Sequence, residues 1–315
     1  MRKKFIEKPN PLNDYLFLKV MGEKGDEEQL LSFLNAVLNR QQANRLVSVK
    51  ILQNKVLSPQ ILGDKSSILD VLAELEDKTK VNTEVQIRNW ENMQERSLYY
   101  WSREYTRNLD AGQDYKELPK VIEINIIDFD FMATGNYHTV FRLREDIEHD
   151  LILTDALEIH FINMVKFRRL KETDTRNNPL HRWLTYLDKN STAVQLQEVM
   201  KMDNAIRKAQ ERQRIVLNDK AARREYEMRL MALSDRTSAE NSARREGLAE
   251  GLAEGLVKGE AKGLAEGLSK GLAEGLAEGT TKANIENARK MKADNMPASQ
   301  ISKYTGLSQE IIAGL

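Results

Sequence analysis

The chain has 315 residues, with 48 Lys and Arg balanced by 48 Asp and Glu, four His and no Cys. Disulfides, thiolate zinc sites and a cysteine nucleophile are therefore excluded, and any metal should have oxygen ligands. With zero formal net charge, DNA binding would need a local basic patch. No signal-peptide core follows Met1 and no apolar run approaches about 18 residues, so we expect a soluble, cytoplasmic protein without membrane contacts.

The first 165 residues mix helical and strand patterns. Apolar positions between Asn13 and Leu38 predict a helical region that is interrupted near Gly22 and Gly25. The later predicted elements are strands at 47–57, 68–75 and 81–87, a helix over 92–109 with Gly112 at its C-cap, and strands at 121–129 and 157–163. Strands on both sides of a helix indicate an α/β fold with a mixed central sheet flanked by helices.

The third predicted strand alternates apolar and polar residues, which places Asn82, Glu84 and Gln86 on one face. With residues 76–80 as the loop, Asp70 should lie across from Gln86 and diagonal to Glu84, roughly 7–8 Å away. Two carboxylates so placed can share a hard divalent cation, as phosphodiester hydrolysis requires. The alternative is an ordinary solvated sheet face. Asp70 argues against it, because a carboxylate within an apolar run needs a partner.

The predicted helix at 92–109 begins with hydrogen-bond donors suited to a phosphate backbone, among them Arg96 and Tyr100. The alternative for the aromatic residues Tyr99, Tyr100 and Trp101 is that they lie mostly in the core, and for them this interpretation is favoured.

The second half of the chain lacks strand patterns. We predict a mixed α/β domain over 1–165, a helical extension over 166–243, a Gly-Leu-Ala-Glu repeat over 244–280 and a small helical segment over 281–315. Glycine at every fourth position weakens a helix by about 1 kcal/mol each. The repeat is therefore either a marginal helix stabilised by self-association or a flexible spacer. The last segment predicts two short helices, either half of a helix-turn-helix or a helical cap.

The motifs of residues 9–170 resemble, in order, the recombination-promoting nuclease and transposase family of the PD-(D/E)XK nuclease superfamily. The residues that carry this resemblance are the opening segment 13–22, Asp70, Glu84-Val85-Gln86, Arg96, Tyr99-Tyr100-Trp101, Gly112, Tyr115 and the strand at 121–129. Glycine-rich repeats of this kind are also typical of the family. The resemblance implies a restriction-endonuclease-like core.

The resemblance also implies the roles of individual residues. Asp70 and Glu84 would bind Mg²⁺ or another divalent cation, and Gln86 would stand at the usual lysine position and orient the attacking water. Asp14 is either a further metal ligand or a helix N-cap. Arg96 and Tyr100 would contact the DNA backbone. Leu69 stands where the superfamily motif often has Pro.

The implied function is a metal-dependent DNA endonuclease in recombination or mobile-element biology, with DNA as a partner and homo-oligomerisation through the repeat. One alternative is a non-catalytic DNA-binding or oligomerising protein that keeps the fold. Another is a structural scaffold assembled by the repeat.

Overall fold

A computed structural model of the chain describes residues 8–54, 71–89, 92–107, 109, 112 and 114–315. Asp70 and the first residues of its predicted strand lie outside the described residues. The chain divides into two compact units, Met1–Ser234 and Asp235–Leu315.

The described strands all lie in the first unit, together with helices, and the second unit is helical. The strands are β1 (Val49–Asn54), β2 (Val71–Leu75), β3 (Lys80–Gln86), β4 (Val121–Ile127), β5 (His138–Phe141) and β6 (Leu157–Asn163). The helices are α1 (Asp14–Met21), α2 (Glu28–Val37), α3 (Met93–Thr106), α4 (Met164–Phe167), α5 (Pro179–Leu187), α6 (Ala193–Met202), α7 (Asn204–Asn218), α8 (Lys220–Ala293), α9 (Ala298–Thr305) and α10 (Gln309–Gly314).

The six strands form one mixed sheet in the order β1-β2-β3-β4-β6-β5. β1, β2 and β3 pair antiparallel, β3, β4 and β6 pair parallel, and β5 is antiparallel to β6. The predicted α/β fold with a mixed sheet is confirmed, and β6 has the predicted limits. β5 was not predicted, since four residues are too few to show a period.

The predicted register of the β2–β3 hairpin is wrong by two residues. The expected pairing would set Val71 across from Val85, whereas Val71 pairs with Thr83. The loop is shorter than expected because Lys78 adopts a left-handed conformation with φ 65°. Lys80 consequently joins the ladder, where it pairs with Glu74.

Other element limits also differ from the prediction. α3 ends at Thr106, and its C-cap is Arg107 and not Gly112. β4 ends at Ile127, level with the last residues of the neighbouring strands β3 and β6. Within the predicted helical extension, α6 and α7 are separate helices, because Asp203 leaves the helical conformation and its side chain caps α7 at the Ala205 amide.

The two faces of the sheet are covered by different helices. The main apolar core combines sheet residues such as Val81 and Ile124 with α1, α2, α5 and α7. A smaller cluster, including Met93 and Phe161, lies on the α3 side. Gly22 permits the close approach of α1 to β2, since a Cβ there would lie 2.8 Å from the Leu18 carbonyl oxygen and 3.2 Å from Val71 Cγ2. The sheet is therefore enclosed, and its polar residues need partners inside the protein.

The second unit contains most of α8, including the repeat, and the two predicted short helices α9 and α10. Gly306 ends α9 with φ 70°, and Ser308 caps α10. Ala288, Ile301 and Ile312 form a small apolar cluster among the three helices. The repeat itself is helical.

A buried polar chain joins the edge strand β5 to β6. His138 Nε2 lies 2.9 Å from His160 Nδ1, and His160 Nε2 lies 2.8 Å from Glu158 Oε1. Lys120 and Arg142 also contact Glu158, at 3.2 and 3.0 Å. Burial and the neighbouring His160 lower the pKa of His138 to about 4, against a smaller opposite effect of Glu158.

We therefore predict an acid-sensitive fold. The free energy of unfolding should fall as the pH drops from about 6.5 to about 4, because His138 is protonated in the unfolded chain over this range but remains neutral in the folded protein. The loss should reach up to about 3 kcal/mol. Urea denaturation over this pH range measures it. His138→Gln should flatten the profile and His149→Gln, at an exposed position, should not. An unchanged slope in His138→Gln would contradict the assignment.

Candidate active site

The candidate site lies between the central strand β3 and the helix that follows it. α3 connects the parallel strands β3 and β4, and such a crossover helix covers one face of the sheet. Trp101 Nε1 donates to the Val121 carbonyl oxygen at 3.2 Å, which ties the helix to β4. Asn82, Glu84 and Gln86 point to this side, as the alternation predicts: Glu84 contacts Arg96 of α3, and Gln86 contacts Glu84.

Glu84 is a buried carboxylate with only half of its acceptors in use. Its residue exposure is 1%, so the solvated sheet face proposed as an alternative does not hold for it. Oε1 accepts hydrogen bonds from Arg96 Nη2 at 2.7 Å and from Gln86 Nε2 at 2.6 Å. Oε2 is buried and has no hydrogen-bond partner in the described part of the chain. An unsatisfied buried carboxylate oxygen is costly, and it is available as a cation ligand.

Arg96 is the ionic partner of Glu84 in this structure. Its side chain is 22% exposed, and its guanidinium lies 5.4 Å from the centre of the Tyr100 ring. Tyr100 is only 9% exposed, whereas Tyr99 is 59% exposed. The core interpretation of the aromatic residues therefore holds for Tyr100 and is wrong for Tyr99. The expected contacts of Arg96 and Tyr100 with DNA stay predictions.

The partners of Asn82 and the polar residues of β4 on this face were not singled out from the sequence. Asn82 Nδ2 donates to both oxygens of Glu123, at 2.9 and 3.2 Å, and Glu123 is fully buried. Asn125 Nδ2 donates to the His160 carbonyl oxygen at 3.3 Å, and the Ser97 hydroxyl lies 3.2 Å from Asn125 Oδ1. The sequence did carry a signal for them, because Glu123 and Asn125 interrupt the run of Val and Ile in β4. Asp70 interrupts its own apolar run in the same way, and a buried polar residue needs a partner.

Asp14 lies on α1, where its carboxylate is engaged with α8. Asp14 Oδ2 accepts a hydrogen bond from Arg229 Nη1 at 2.9 Å. The N-cap of α1 is Asn13, whose Oδ1 accepts from the Leu16 amide at 3.1 Å. The N-cap alternative for Asp14 is therefore wrong, and its role as a metal ligand stays a prediction.

The donor chemistry at Glu84 fits a hard divalent cation, which prefers oxygen ligands. No group of three or more His, Asp or Glu side chains is arranged as a metal site within the part of the chain that the structure describes. Within the described residues, the feature that fits a cation directly is the buried Glu84 Oε2, which has no hydrogen-bond partner there. Asp70, the second expected ligand, lies outside the described residues.

The family model for PD-(D/E)XK nuclease family transposases matches residues 11–243. The chain belongs to this family. The resemblance recognised in the sequence is thus confirmed, and the mixed sheet with flanking helices is consistent with the PD-(D/E)XK fold. Membership implies a nuclease, which is a hydrolase. No curated protein and no solved structure matches the chain.

All residues proposed for the site, from Asp14 to Tyr100, lie inside the segment that this family model matches. Among the described residues, no helix is both long and apolar enough to cross a bilayer.

Proposed function

We propose that this PD-(D/E)XK family member is a Mg²⁺-dependent DNA endonuclease, or one that uses another divalent cation, acting in recombination or on mobile elements. The observation that carries the proposal is the buried carboxylate of Glu84, whose Oε2 lacks a hydrogen-bond partner among the described residues. Family membership supports the nuclease class and DNA as the partner.

Each residue of the proposed site has a distinct part in the reaction. Glu84 and Asp70 would hold the cation, with Asp14 as a further candidate ligand. When bound, the cation supplies Lewis-acid charge that stabilises the phosphodiester transition state. Gln86 contacts Glu84 directly, and its amide can both donate and accept a hydrogen bond, so it can orient a water for attack on phosphorus.

The residues around the proposed cation determine how charge is shared in the transition state. Gln86 is neutral and cannot supply the cation that a lysine would place at the water. The metal and Arg96 must therefore provide more of the electrostatic stabilisation. Arg96 and Tyr100, on the helix that covers the site, are proposed to contact the DNA backbone.

The first prediction tests this assignment. Asp70→Ala should reduce Mg²⁺-dependent nicking of a supercoiled plasmid by more than about 100-fold, because the site loses one of its two proposed carboxylates. EDTA should abolish nicking by the wild-type protein. The matched control is Glu95→Ala, which removes an exposed carboxylate from α3 and should leave the rate unchanged.

Thermal unfolding would establish that the Asp70→Ala protein is folded. Wild-type nicking by this folded variant would remove Asp70 from the site. Mg²⁺-independent DNA binding without any nicking, in the wild-type protein, would favour the non-catalytic alternative.

The second prediction concerns the neutral residue at the lysine position. Gln86→Lys should retain or increase nicking and widen the range of cations that support it, because an ammonium group beside Glu84 adds positive charge at the water. Gln86→Met, which has similar length and no polar amide, should lose activity. A folded but inactive Gln86→Lys protein would contradict the placement of Gln86 at the water.

The chain is proposed to divide into a PD-(D/E)XK nuclease-like domain (1–165), a helical extension (166–243), the Gly-Leu-Ala-Glu repeat (244–280) and a small helical segment (281–315). We propose that the repeat controls assembly and takes no part in the chemistry. Cβ atoms added at its glycines would meet no atom within 4 Å, so each glycine leaves open space beside the helix. The leucines of the repeat are 57–74% exposed, at Leu248, Leu252, Leu256, Leu264, Leu268, Leu272 and Leu276. A helix with these small and apolar residues can pack closely against a second copy.

The third prediction follows from this proposal. A chain that ends after residue 243 should form smaller particles in light scattering, since it lacks the exposed leucines of the repeat, and should keep Mg²⁺-dependent nicking at saturating enzyme. The matched control is a chain that ends after residue 280 and keeps the repeat. An unchanged mass per particle would make the repeat a spacer. If the shortened chain assembles normally but no longer nicks DNA, residues after 243 take part in the reaction.

A further inference from the structure

The ion pair between Arg96 and Glu84 has the features of a temporary arrangement. Only one nitrogen and one oxygen take part, Nη2 and Oε1, at 2.7 Å. Arg96 Nε and Glu84 Oε2 are both buried and both lack a hydrogen-bond partner among the described residues. A two-pronged pair would use these atoms and bind more strongly. The guanidinium therefore neutralises the carboxylate without satisfying it.

The two partners differ in their freedom to move. Glu84 is fixed on the central strand β3 with 1% exposure, whereas the Arg96 side chain is 22% exposed at the edge of the site. The Arg96 guanidinium also lies over the Tyr100 ring at 5.4 Å. An aromatic face attracts a cation. The guanidinium can thus withdraw from Glu84 while remaining on a favourable surface of α3.

A divalent cation at Glu84 would compete with this guanidinium for the same carboxylate. We propose that Arg96 holds the position of the metal in the metal-free protein and withdraws from Glu84 when the cation binds. The released guanidinium then becomes available to a DNA phosphate. This inference rests on the proposed metal-dependent function, and it makes Arg96 a positioning residue that links cation loading to DNA contact.

The exchange predicts opposite effects of one substitution on two measurements. In the absence of metal, Arg96→Gln should lower the melting temperature by about 5–10 °C, because the buried Glu84 carboxylate loses its guanidinium partner. The same variant should bind Mg²⁺ about tenfold more tightly by calorimetry, because no guanidinium has to be displaced. Saturating Mg²⁺ should therefore raise its melting temperature more than that of the wild type.

Arg103→Gln is the matched control, since it removes the same charge from an exposed position of α3. It should change neither the Mg²⁺ affinity nor the stability. Arg96→Lys keeps the charge and should have a Mg²⁺ affinity closer to the wild type. Equal or weaker Mg²⁺ binding by Arg96→Gln would overturn the exchange while leaving the metal site in place. If neither protein binds Mg²⁺ or Mn²⁺, the metal-dependent function is overturned as well.

A second measurement uses the wild-type chain and does not depend on any variant folding. An arginine-selective dicarbonyl reagent, read out by mass spectrometry, should modify Arg96 several-fold faster in saturating Mg²⁺ than in EDTA. Arg103 serves as the internal reference, exposed in both conditions. Unchanged or slower modification of Arg96 in Mg²⁺, under conditions where calorimetry detects Mg²⁺ binding, would overturn the exchange.

Discussion

A charged carboxylate inside a sheet needs a positive partner, because moving an ion out of water costs several kcal/mol. Glu84 imposes this requirement on the centre of the structure, and the β3–α3–β4 crossover meets it by bringing Arg96 over the same face. The buried carboxylate of the neighbouring Glu123 accepts hydrogen bonds from the neutral amide of Asn82. The α3 side of the sheet therefore combines polar pairs with the smaller apolar cluster, whereas the opposite face packs against the helices of the main apolar core.

The sequence predicted those elements whose pattern is regular along the chain. The alternation of β3 identified the face that carries Glu84, and the alternation of Leu157, Ile159 and Phe161 with polar residues identified β6. β5 was missed because it is only four residues long and is held by contacts with β6, such as His138 with His160. Residues so far apart in the chain show no shared sequence pattern. The hairpin register was wrong because it depended on the left-handed conformation of Lys78, a backbone choice that this residue type seldom makes.

The candidate site was predictable only in part, for a related reason. Glu84 and Gln86 could be grouped from their spacing within one strand. The pairing of Arg96 with Glu84 depends on how α3 rotates above the sheet, and that is set by tertiary contacts such as Trp101 with β4. Asp14 illustrates the extreme case, since its ionic partner Arg229 is 215 residues away.

The order of these contacts along the chain has a consequence for synthesis on the ribosome. The Glu84–Arg96, Glu84–Gln86 and Asn82–Glu123 pairs all lie between Lys80 and Ile127, so their partners are made together. The core on the other face also needs Trp183, Ile206 and Tyr226. Some 100 residues separate Ile127 from Tyr226, and at about 5–20 residues per second their translation takes roughly 5–20 s. During that interval the nascent chain carries its site-bearing segment while part of its apolar sheet face is still uncovered, which is when chaperones can bind it and when it is most exposed to aggregation.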